Sequence, residues 1–238
     1  MPQKKGQKRQ RQVSKHIKSY VDRAIARNSE TKRITYDSGL VAFNTSVTSS
    51  GDLNYLLPTI GQGTTSYNRI GTKIKIKKLV VRGHLIWEGT STSGFQKVGA
   101  RLMVIKSKKV PNSDVSSVAS ELNYLLEAGG GSYQTYNGEV GDLHSPINKK
   151  AFAVARDKKH YMYQQGSNAD DLSRAVKFFT MDIKQARNKI INYEFESGTP
   201  TNWGWYLALG WSLLDGTTSV SPTNMSMEYV VDCEFEDA

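Results

Sequence analysis

Cysteine occurs once in the 238 residues, at Cys233. A single thiol excludes a disulfide scaffold and any zinc site built on several cysteines, and a reducing compartment is the natural expectation. Long apolar runs are also missing. The longest uncharged apolar run, Trp203 to Leu214, is twelve residues, against about twenty for a helix that spans a bilayer. No membrane insertion is expected. No apolar region follows the basic residues at the start, so no secretory signal is expected, and the sequons at Asn44 and Asn224 then carry no sugar.

Histidine is scarce. His16, His84, His144 and His160 are the four in the chain, and none has a second His or a Cys at metal-ligand spacing. No oxygen-rich loop follows the EF-hand pattern; the adjacent acids Asp170-Asp171 read as a turn or a cap. Gly61-Gln62-Gly63-Thr64 hints at a phosphate loop, but it lacks the Lys-Ser/Thr ending and leads into a strand instead of a helix. It reads as turn chemistry. No nucleophile, base and orienting group stand in a recognisable pattern, so the chain is not expected to be an enzyme, and neither a metal nor a cofactor is expected.

Acidic residues are nearly absent from one segment. The chain holds 32 Lys+Arg against 22 Asp+Glu, a net of +10. Residues 1–33 hold eleven bases (Lys4, Lys5, Lys8, Arg9, Arg11, Lys15, Lys18, Arg23, Arg27, Lys32 and Arg33) and two acids, Asp22 and Glu30, a net of +9. The other 205 residues are almost neutral. A segment so charged repels itself and buries little apolar surface, which predicts disorder at its start. It is read as a basic arm for a polyanion. Its cations neutralise phosphates and release counterions, a contact that is independent of sequence and weakened by salt. The cluster Lys4, Lys5, Lys8, Arg9 and Arg11 also suits a nuclear import signal. Ile17, Val21, Ala24 and Ile25 fall at spacings of three and four, which predicts a short helix over 14–28 with Ser14 as its N-cap.

Beyond the arm the period becomes two. Trp203, Trp205, Leu207, Leu209, Trp211 and Leu213 alternate with mostly small residues. Met225, Met227, Tyr229, Val231, Cys233 and Phe235 alternate with Glu228, Val230, Asp232 and Glu234. Such alternation marks half-buried antiparallel strands, and it places Cys233 on an apolar face as a core thiol. Further strands are expected at Gly39–Thr48, Thr72–Glu88, Val98–Ser107, Lys150–Arg156, Lys159–Gln164, Ala175–Ile183 and Lys189–Glu196. The apolar parity within Thr72–Glu88 switches between Ile76 and Leu79, which predicts a bulge near Lys77-Lys78. The pair around Asp157-Lys158 is read as two strands joined by a turn. About eight or nine strands with polar turns predict one all-β sandwich or barrel over 34–238. A long insertion at about 110–148 interrupts it, beginning with a helix over Ser113–Glu127 that Gly129-Gly130-Gly131 stops.

The stretch Ile60-Gly61-Gln62-Gly63-Thr64-Thr65-Ser66-Tyr67-Asn68-Arg69-Ile70-Gly71-Thr72-Lys73-Ile74, followed by Ile76-Lys77-Lys78-Leu79-Val80-Val81-Arg82-Gly83, resembles the capsid proteins of small circular Rep-encoding single-stranded DNA (CRESS) viruses. More distantly the chain is similar to the coat proteins of plant satellite viruses with RNA genomes. The shared features are a glycine turn, an Arg-x-Gly, an alternating basic strand, the basic arm and the strand order. The resemblance implies a single eight-stranded jelly roll, two facing four-stranded sheets. It implies that identical subunits close into an icosahedral shell of about sixty copies, with the arms on a single-stranded genome, DNA by the resemblance alone. Lys73, Lys75 and Lys77 are then additional candidates for an inner surface. Host nuclear import receptors are implied partners, and the virion and the host nucleus the implied locations. The rival readings are the coat protein of an RNA satellite virus and a non-viral basic nucleic-acid-binding β-barrel protein, whose sign would be stacking aromatics on an exposed sheet.

Overall fold

The computed structural model describes residues 16–17, 19–20, 30–88, 95–165, 174–214 and 224–238. His16, Ile17, Ser19 and Tyr20 are helical, inside the expected 14–28 segment; the rest of that segment lies outside the described residues. The chain divides into two units, residues 1–31 and residues 32–238. The second unit is mostly antiparallel β-structure in more than one sheet.

Its alternating segments form strands whose two faces have different fates. In β11, Met225–Asp237, the residues Met225, Met227, Tyr229, Val231, Cys233 and Phe235 are buried, while Glu228, Val230 and Glu234 lie on the other face and are partly open. β1 (Lys32–Phe43) and β3 (Lys73–Trp87) flank β11, and β8 (Ala175–Asp182) lies beyond β3. A short strand, β9 (Ile190–Asn192), also pairs with β3. The second sheet runs β2 (Leu53–Tyr55), β10 (Tyr206–Leu213), β4 (Phe95–Ser107), β7 (Phe152–Gln165). All these pairings are antiparallel. Four of them, β1–β11, β2–β10, β3–β8 and β4–β7, nest inside one another like the rungs of one long folded hairpin. The pairings β11–β3 and β10–β4 gather those rungs into two sheets. One buried cluster draws on both: Ile74, Val81, Trp87, Met227 and Val231 from the first, Val98, Leu102, Leu209 and Trp211 from the second.

The bulge expected in β3 is present. Lys78 pairs with Glu234 and Ile76 with Phe235, which leaves Lys77 as the extra residue. A second register shift corrects another expectation. Asp157-Lys158 is no turn, because β7 runs unbroken from Phe152 to Gln165. Arg156 pairs with Val104 and Val154 with Ile105, so Ala155 is the extra residue, and the bulge flips the parity that mimicked two strands. The expected strand Gly39–Thr48 begins earlier, at Lys32, and the three-residue β2 has too little length to show alternation.

The insertion lies on the far side of the second sheet. Its helix is shorter than expected, Val115–Ser120, capped by Asp114, whose carboxylate accepts from the Ser116 and Ser117 amides. A 3-10 turn, Leu122–Tyr124, follows. The helix stops there because Leu125 and Leu126 are needed in a second apolar cluster, and Asn148 ties down this turn by donating to the carbonyls of Tyr124 and Leu125. The strands β5 (Leu126–Glu127) and β6 (Tyr133–Gln134) form a small hairpin. Gly130 and Gly131 turn it at φ of 71° and 80°, a region open to glycine. Val118, Leu122, Leu125, Leu126, Tyr136 and Leu143 of the insertion bury Met103, Ile105, Tyr206 and Ala208. β10 is therefore covered on both faces. Its small residues make room: a Cβ on Gly210 would lie 2.6 Å from the Tyr136 ring.

Candidate nucleic-acid interface

Of the eleven candidate arm cations, Lys4, Lys5, Lys8, Arg9, Arg11, Lys15, Lys18, Arg23 and Arg27 lie outside the described residues, and with them the whole import cluster. Lys32 and Arg33 are described, and they open β1 instead of closing the arm. The compact body begins at Lys32. Lys32 is 4% exposed; its Nζ lies 2.7 Å from Asp237 Oδ2 and donates to the Asn68 carbonyl at 2.9 Å. Its charge is engaged within the body, which removes it from the candidate phosphate ligands.

Arg33 points the other way, onto the solvent face of the first sheet. Its Nε and Nη2 donate to the two oxygens of Asp232 at 2.6 and 2.9 Å, a bidentate pair. Arg82 of β3 donates its Nη1 to Asp232 Oδ2 at 3.3 Å. One carboxylate thus joins two guanidiniums. Asp232 is 2% exposed, whereas the arginine side chains are 63% and 49% exposed, so both present free N–H groups to solvent. Burial alone would raise the Asp232 carboxyl, but the hydrogen bonds and charges of Arg33 and Arg82 outweigh it and hold the group below its ordinary value.

The alternating basic strand is only partly available. Ile74 and Ile76 are buried, so Lys73, Lys75 and Lys77 share the solvent face. Lys77 pairs with Glu236 at 2.8 Å, and Lys78 with Glu234 at 3.0 Å. These lysines neutralise the acidic row of β11 that the alternation disclosed. Lys77 is thus engaged with Glu236 while part of its side chain stays open to solvent. Among the described residues Lys73 and Lys75 have no carboxylate within ion-pair distance, and they remain free for an anion.

Two large cations that composition did not single out are structural. Arg69, within the glycine-turn stretch, is fully buried. It lies over the Tyr193 ring at 4.5 Å and donates to the carbonyls of Gly71, Glu194 and Ser197. The Arg-x-Gly thus locks two loops together. Arg101 forms a bidentate pair with Asp157 and donates to the carbonyls of Asp142 and Ser145, which staples the insertion to β4 and β7. The three C-terminal tryptophans, Trp203, Trp205 and Trp211, are buried and form no stacking surface. Phe178 of β8 is 76% exposed, and sequence reasoning passed over it because it stands beside the buried Phe179.

The chain matches no family model and no curated protein. The geometry of the chain itself therefore carries its functional reading.

Proposed function

We propose that the protein is a viral coat subunit that self-assembles into a small icosahedral shell and packages a circular single-stranded DNA genome through its basic amino-terminal arm. The carrying observation is the strand order. Numbering only the eight strands of the two main sheets along the chain, the first sheet runs 1-8-3-6 and the second 2-7-4-5. That is a long antiparallel hairpin rolled on itself, the double Greek key of a jelly roll, an architecture shared by capsid and lectin domains and by cupins. A lectin or cupin has no use for a net charge of +9 confined to residues 1–33. A shell that encloses a polyanion needs such an arm, because genome self-repulsion opposes packaging and positive arms offset it.

In this reading the arm cations Lys4 to Arg27 condense nucleic acid without sequence preference, and the near-neutral body meets its neighbours. Arg33 continues the row of charges onto the body, and Lys73 and Lys75 add to it. Electron microscopy of the purified protein tests the assembly half. Uniform small shells of about sixty copies are expected, and a preparation that stays monomeric under assembly conditions contradicts the proposal.

A further inference from the structure

We infer that the solvent face of the first sheet carries a base-stacking site for single-stranded nucleic acid, formed by Phe178 with His84 and bordered by Arg82. This rests on the packaging reading and specifies where on the body the genome is held; an exposed stacking pair is also the sign of the non-viral nucleic-acid-binding rival, and the formation of shells separates the two. The sheet register sets three rows side by side: Arg82 opposite Thr180, His84 opposite Phe178, and Ile86 opposite Val176. Val81, Leu85, Phe179 and Met181 are buried, so these rows all project away from the core. One row is cationic, one aromatic and one aliphatic.

The Phe178 and His84 rings lie 5.7 Å apart, tilted by 50°. Glu228 stands on the other side of His84, its carboxylate 3.7 Å from Nε2. Phe178 keeps 76% of its surface open and Val176 46%. Apolar groups open on the edge strand of a sheet invite aggregation unless something covers them. The cover that fits is a flat π-surface attached to a negative backbone. Arg82 stands one row away, and through Asp232 it is joined to Arg33, the second residue of β1. The trio of Arg33, Asp232 and Arg82 carries a net charge of +1. Phe178 has no polar atom with which to read a base edge, so the stack accepts any base. That matches an arm that accepts any phosphate.

The test uses the full chain and fluorescence anisotropy with two probes of equal length, an oligo-dT and its abasic counterpart, which has the phosphates and no bases. Phe178→Ala is expected to weaken oligo-dT binding about tenfold and to leave abasic binding unchanged, while Phe178→Trp retains native affinity. Arg82→Gln is expected to lower the slope of log affinity against log salt by about 0.7 for both probes. Because Phe178 is exposed, its replacement should leave the melting temperature unchanged, which a thermal scan checks. Equal oligo-dT affinity in Phe178→Ala and native protein overturns the inference, as does an equal loss on both probes. Loss of shells with oligo-dT affinity retained also overturns it and makes the patch a contact between subunits. Failure of the arm reading is separate: glutamine at Lys4, Lys5, Lys8, Arg9 and Arg11 would then leave abasic binding unchanged whatever Phe178 does.

Discussion

Trp87 of the first sheet and Trp211 of the second meet across the core with ring centroids 5.1 Å apart and planes at 63°, and both are fully buried. They differ in one atom's fate. Trp211 donates its Nε1–H to the Phe43 carbonyl at 3.0 Å, whereas the Trp87 Nε1 has no partner. Replacing each with Phe therefore separates packing from hydrogen bonding. Trp211→Phe loses contact area and orphans an acceptor, and is expected to cost about 2–3 kcal/mol. Trp87→Phe loses similar area but removes a buried unpaired donor, and is expected to cost about 1 kcal/mol. Urea unfolding of both variants checks the order.

Arg69 should tolerate no replacement, including the charge-conserving one. Lysine has the charge but not the planar fork that reaches three carbonyls on two loops. Arg69→Lys is expected to lose about 3 kcal/mol, because the carbonyls stay buried while their donors leave. An unchanged denaturation midpoint would show that the glycine-turn stretch does not depend on this arginine.

Gly210→Ala tests whether the insertion is part of the fold or an appendage. The added methyl would sit 2.6 Å from the Tyr136 ring, whose hydroxyl lies 3.0 Å from Ser212 Oγ. The ring must move, and with it the cover over β10. A loss of about 1–3 kcal/mol is expected, together with faster hydrogen exchange of the 133–143 amides.

The same residues show how much of the architecture was legible in the chain. Alternation placed the long strands, and the parity switch at Lys77 located a bulge, because one face of each strand meets a core and the other meets water. Where both faces are covered, as in β10, alternation of large and small residues marked the strand but not its second neighbour. The insertion's role was unreadable for that reason: what it covers is decided by contacts distant in sequence. The second bulge, at Ala155, reads as a turn in the sequence because Asp157 and Lys158 are polar, yet Asp157 is held by Arg101 and Lys158 by the Thr180 carbonyl. At the candidate interface, charge counting could not separate Lys32, paired inside the body, from Arg33 on its surface. Only the acidic row of β11 hinted at such pairing.

Stability should fall in two acid steps. His160 stands across from Ala100 on β4 and beside Phe179. Burial, then the charges of Lys158 and Lys177, push its imidazole below the ordinary value. The unfolded chain therefore binds the proton first, and stability present above about pH 6.5 declines as pH falls through the lowered folded value. His160→Gln should flatten that part of the profile. Asp232 is lowered as well, so its share is present above about pH 4 and is lost only as pH falls further. Melting temperatures of native protein, His160→Gln and Asp232→Asn between pH 3 and 8 resolve the two steps.

The nucleic-acid content of purified assemblies, read as the ratio of absorbance at 260 nm to that at 280 nm, tests packaging by the arm most directly. Glutamine is placed at Lys4, Lys5, Lys8, Arg9, Arg11, Lys15, Lys18, Arg23 and Arg27, with the body unchanged. Shells that form from this variant with their nucleic acid lost or greatly reduced are the predicted result. Shells of equal nucleic-acid content with and without the arm charges would contradict it.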